Sequence, residues 1–218
     1  MKRGMSDFFI VANNADVFFN RPAAEYLVKE IKRRYGLEIP ILEERYSNII
    51  EDDELDKPQT PSWYEGIDIA DFEALQETAS KEIGQDQAKH LLWIRAKTFF
   101  GVYLPINIEP IRLELPKIQQ SKVKFIKRVL RYILRVRPRP SEIDCASLYE
   151  LKKELDLFAT KMDLPTEKTK LESLSFDFSM IFLQTKKITA LKCVKYAYAQ
   201  LMLATKFAVE HNYPLWLR

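Results

Sequence analysis

The sequence predicts a helix-rich α+β domain with a small antiparallel sheet, and three observations carry that expectation. Glycine is scarce: Gly4, Gly36, Gly66, Gly84 and Gly101 are the five, and residues 102–218 contain none. Tight turns with positive φ draw on glycine, so its scarcity favours helices with proline-punctuated links over an all-β sandwich. Apolar residues recur at three- and four-residue spacing over several long stretches, with short alternating runs between them. With 218 residues, 47% hydrophobic and 30% charged, the chain supports one sizeable core. It reads as a single domain over 1–218, with a weak boundary or a long acidic loop at 43–62.

The elements follow in order. Phe8-Phe9-Ile10-Val11 reads as a short buried strand. Asn20 and Pro22 start a helix, proline being tolerated in the first turn. Ala24, Leu27, Val28 and Ile31 share one face, Glu25–Lys29 and Glu30–Arg34 are i,i+4 pairs, and Gly36 is the stop. Leu37 to Trp63, with Glu51-Asp52-Asp53-Glu54, Pro58 and Pro61, is the irregular stretch. Asp68 or Asp71 caps a helix through Phe72, Leu75 and Ala79 to Gly84. Asp86 caps another that runs through Leu91, Ile94 and Ala96 towards Phe100. Ile106, Ile108, Ile111, Leu113 and Leu115 alternate around Pro110 and predict an edge or bent strand.

Ser147 and Glu150 form a capping box for a helix through Leu148, Leu151, Leu155, Phe158 and Met162, closed by Pro165. Leu174, Phe176, Phe178, Met180 and Phe182 alternate, with serines and Asp177 at most of the intervening sites, and predict a half-buried strand, with a helix as the alternative. Lys186 to Glu210 is helical and apolar over most of its circumference, which belongs in a core. Asn212 and Pro214 end it, and Leu215-Trp216-Leu217 packs back on the body. About five or six helices result.

Charge is unevenly spread. Residues 115–141 carry nine basic side chains and no acidic one, whereas 38–56 carry eight acidic ones opposed only by Arg45. The whole chain is +3, so +9 in the basic window leaves −6 for the rest. Lys124, Lys127, Arg128, Arg131 and Arg135 fall within an arc of roughly 100° on a helical wheel at about 100° per residue. Arg135 to Pro140 alternates and reads as extended, with Arg137 continuing the basic run. Lys124, Lys127, Arg128, Arg131, Arg135 and Arg137 are therefore the candidate partner-binding residues. Such a stripe suits an acidic protein partner or a phosphate backbone; the wide apolar arc opposes a peripheral membrane helix. The plain structural reading is a solvated basic face, or one paired with the acidic window.

Enzyme signatures are missing from the sequence. Five scattered glycines build neither a Walker loop nor a Gly-x-Gly-x-x-Gly turn, and no Gly-x-Ser-x-Gly elbow occurs. His90, Cys145, Cys193 and His211 are too dispersed for a zinc site. Asp86 and His90, i,i+4 on one helix, read as a cap and a partly exposed helix residue rather than as a metal pair. His211 complements a helix C-terminus. The acidic turn at 51–54 lacks the alternation of a calcium loop. Asp144, Glu150 and Lys152 resemble the Asp…Glu-x-Lys pattern of restriction-type nucleases; in that family the Glu-x-Lys pair lies on a strand, whereas here it lies in a helical stretch, so no site is carried over. Trp63-Tyr64 and Trp216 read as interface anchors or as lids over a core edge. No catalytic residue, cofactor or metal is assigned.

Two cysteines make no disulfide framework and read as reduced and buried. The apolar run at Phe8–Ala12 is too short for a signal peptide, and a cytoplasmic location is expected. The functional expectation is a cytoplasmic protein-interaction module (an adaptor, inhibitor or assembly subunit) that binds an acidic partner through the basic face. Nucleic-acid binding through the same segment is the alternative, and a metal-dependent enzyme comes third.

Overall fold

A computed structural model describes residues 7–12, 21–36, 38, 63–94, 101–114, 142–183 and 189–217. Its strands are β1 (Asp7–Ala12), β2 (Trp63–Asp68), β3 (Gly101–Leu104), β4 (Ile111–Glu114), β5 (Glu142–Ser147) and β6 (Leu215–Leu217). Its helices are α1 (Arg21–Tyr35), α2 (Ile69–Glu82), α3 (Lys89–Trp93), α4 (Leu148–Met162), α5 (Lys168–Leu183) and α6 (Ala190–His211). The expected helix-rich α+β class is the one observed. The sheet runs in the order β2-β1-β6-β3-β5-β4 and is antiparallel except between β3 and β5.

Local chemistry sets the helix ends. Gly36 takes φ 65° and donates its N–H to Lys32 O at 2.9 Å, stopping α1. Within α1, Glu30 accepts from Arg34 at 2.6 Å and also from Arg33 at 2.7 and 3.0 Å. Asp68 caps α2 by accepting from Ala70 N at 2.8 Å, and Gly84 follows at φ 85°. Ser147 Oγ accepts from Glu150 N to start α4, and Asp163 ends it in the left-handed region. Thr189 caps α6, and Asn212, at φ 55°, closes it. Asn and Asp tolerate that conformation better than most side chains, which is how this half of the chain ends helices without glycine.

The sheet separates two apolar clusters. Tyr103, Ala146, Leu215 and Leu217 face the helices and pack with Phe72, Leu75, Leu91, Leu151, Leu155, Phe158 and the buried side of α6. Alternation along the strands turns Val102, Leu104, Ile143, Cys145 and Trp216 to the other face, where Val28 and Ile31 of α1 join them. The central helix α6 packs on α2, α4 and α5 and crosses β1 and β2. Tyr198 tilts against Phe158 and donates to Pro165 O at 3.0 Å, while Tyr196 donates to Gly66 O at 3.3 Å.

Several expectations are corrected. Leu174 to Phe182 lies in helix α5, not in a strand; Leu171 and Leu174 turn towards the core, Ser175 meets Gln200 of α6, and Phe176 is left 65% exposed. Packing against α6 overrides the two-residue alternation. β3 was hidden because all four of its residues are buried, and a continuous apolar run has no strand period to read. Helix α3 starts after Ala88 and ends at Trp93, so Asp86 does not cap it. The strand expected from Ile106 onwards begins only at Ile111, after Pro110, although Ile106 and Ile108 are still buried. β4 is an edge, as expected, but the β3–β5 pair is parallel. Trp63 and Tyr64 lie in β2 rather than in a loop, and Trp216, 2% exposed in the interior strand β6, is no lid.

Two predictions follow from this packing. A Cβ on Gly101 would sit 2.1 Å from Ile94 Cγ2. Gly101→Ala should therefore lower stability by about 1–3 kcal/mol in urea unfolding, and it should cost less in an Ile94→Ala background, where the clashing Cγ2 is gone. The second concerns acid. Arg33 and then Arg34, through their hydrogen bonds, hold Glu30 down to about 2 from the ordinary 4.5. Because the folded value is depressed, this contribution is complete above pH 4.5 and fades as pH falls towards 2. The urea-midpoint difference between wild type and Glu30→Gln should shrink across that window; a constant difference would refute the linkage.

Candidate functional site

The most constrained polar group in the helical layer is Glu154, on the inward face of α4. Its Oε1 accepts from His90 N at 2.8 Å and contacts His90 Nδ1 at 2.8 Å, while its Oε2 accepts from Leu91 N at 2.7 Å. Ala88, the residue before α3, has no capping side chain. A carboxylate from another helix thus satisfies two N–H groups of the first turn, which are left without intrahelical partners. His90, 7% exposed, lies between Glu154 and the carbonyl of Ile108, 3.4 Å from Nε2. Tyr103 donates its hydroxyl to His90 O at 3.2 Å. Lys89 reaches over to Glu109 on the surface. This network ties α3, α4, β3 and the segment before β4 together.

A second polar pair sits at the sheet edge. Asp144 of β5 is 2% exposed, and its Oδ1 accepts from Arg112 Nε of β4 at 2.6 Å. Arg112 lies 6.0 Å over the Trp93 ring, and Trp93 donates to Ile111 O at 3.1 Å. Asp144 Oδ2 has no hydrogen-bond partner among the described residues. Gln76 donates to Leu91 O at 2.6 Å and Ile94 O at 2.8 Å, satisfying carbonyls at the end of α3.

These groups are engaged in holding structure. Both ring nitrogens of His90 face an acceptor, so its expected partial exposure is replaced by a buried clamp, whereas Asp86 is exposed. Burial, then the charges of Glu154 and Asp144, push the Tyr103 phenol well above its usual range. Burial and then Asp144 likewise push up the Cys145 thiol, which disfavours the nucleophilic thiolate. Among the described residues no group of three or more His, Cys, Asp or Glu side chains is placed to hold a metal ion. Glu150 is bound to Lys153 and Lys152 to Asp156 on the surface of α4, which leaves the nuclease-like pattern unassembled. His211 Nδ1 donates to Phe207 O, 2.9 Å away, and the imidazole stacks on the Phe207 ring.

Lys124, Lys127, Arg128, Arg131, Arg135 and Arg137 lie outside the described residues, as does the acidic window beyond Glu38, which pairs with Lys32 at 2.6 Å. The described residues do fix where the basic window is attached. Glu114, just before it, and Glu142, just after it, are directly opposed partners in the antiparallel β4–β5 pair. The chain therefore leaves the sheet and re-enters it at one point. Trp63, where the chain enters β2 after the acidic stretch, is at the other edge. Five strand spacings of about 4.8 Å separate those edges. The registers also put Trp63 and Glu142 at opposite ends of the strands.

Sequence reasoning missed the Glu154–His90 contact because it spans 64 residues. The available signal was a carboxylate on the apolar face of α4, one residue before Leu155. No family model, no curated protein and no solved structure matches the chain. Among the described residues, no helix is long and apolar enough to cross a membrane.

Glu154→Ala would leave three buried donors facing an apolar gap. It should lower stability by about 3–5 kcal/mol, whereas Thr160→Ala on the exposed side of the same helix should change it by less than about 0.5 kcal/mol. Equal effects in urea unfolding would remove the clamp role. Neither cysteine is in a disulfide, and both are buried. An aromatic disulfide reagent should thus label neither in the native protein and both after denaturation; rapid native labelling would contradict the burial.

Proposed function

We propose that this chain is a protein-interaction module whose basic segment, residues 115–141, docks an acidic protein partner. One observation supports this reading above the others: the segment departs and returns at the opposed pair Glu114 and Glu142. An excursion rooted in that way can be rich in one charge without disturbing the ladder on either side. Loop-closure entropy rises slowly, by about 0.6 kcal/mol per doubling of length, so a sheet tolerates a long one. The contacts in this proposal are Lys124, Lys127, Arg128, Arg131, Arg135 and Arg137. A compact acidic epitope fits better than a polyanion, because the remainder of the chain is net acidic and Glu114 and Glu142 stand exposed at the root. The role is that of a cytoplasmic adaptor, inhibitor or assembly subunit.

The test uses the full chain and two variants. In one, Arg128, Arg131 and Arg135 are changed to Glu; in the other, Asn-Gly, a two-residue hairpin turn, replaces 115–141 between Glu114 and Glu142. Tagged proteins are used to capture partners from native-host lysate, with and without nuclease. The expected result is a stoichiometric acidic protein that survives nuclease with the full chain and is lost with both variants. The shortened variant should retain cooperative unfolding and helical circular dichroism. Capture that persists in the variants would overturn the docking role, and capture that collapses with nuclease would replace it with nucleic-acid binding, whose steep salt dependence provides the check.

A further inference from the structure

We draw no further inference here: the strongest candidate, the buried Asp144 carboxylate on β5 with its Oδ2 unpartnered among the described residues, carries nothing, because Arg112 already holds its other oxygen, no group of metal-ligating side chains gathers around it, and nothing in the structure shows what would reach it.

Discussion

The six strands form one sheet because Leu215–Leu217 lies between β1 and β3. Without these three residues, the antiparallel β2–β1 pair and the β3-β5-β4 group share no strand. Alternation gives each of the three a defined place: Leu215 and Leu217 enter the helical core, and Trp216 enters the opposite cluster beside Val102 and Cys145. Asn212 makes this possible. Its left-handed conformation ends α6, and Tyr213 N then returns to Ala208 O at 2.8 Å, turning the chain back towards the sheet. The most buried helix and the bridging strand are thus one continuous unit, which couples helical packing to closure of the sheet.

The polar groups of the interior serve the same end. Glu154 substitutes for the cap that Ala88 cannot supply, and Gln76 satisfies the carbonyls at the other end of α3. A helix of five residues has little intrinsic stability, so it persists through partners on α2 and α4. Arg112 spans from the half-wet edge to a buried carboxylate and lies over Trp93. Removing one partner from such a pair is more disruptive than its net contribution suggests, because a buried charge is left alone. The described histidine, tyrosine and thiol groups of the core are therefore committed to structure. This shifts attention to the charged segment between β4 and β5.

Local chemistry in the sequence anticipated much of this. Asp68 and Ser147 begin helices, and Gly36, Gly84 and Asn212 end them, because capping and left-handed turns depend on residue type over a few positions. The amphipathic runs of α1, α2, α4 and α6 were legible for the same reason. The candidate basic residues were legible only as a charge pattern. The clamp at His90 was not legible, since a histidine on a short helix looks the same in sequence whether water or a remote carboxylate faces it.

By itself, then, the sequence determined the helix-rich α+β class, most helix termini, the edge position of β4 and the segregation of charge. Tertiary structure alone decided that Gly101–Leu104 is a strand beside β5, that Leu174–Phe182 is helical, that β3 and β5 run parallel and that Glu154 caps α3. The physical reason is range. Caps and amphipathic periods are set by neighbours within a turn or two, whereas strand partners and buried hydrogen bonds are set by whichever distant surface arrives, and a fully apolar run fits either backbone until it does.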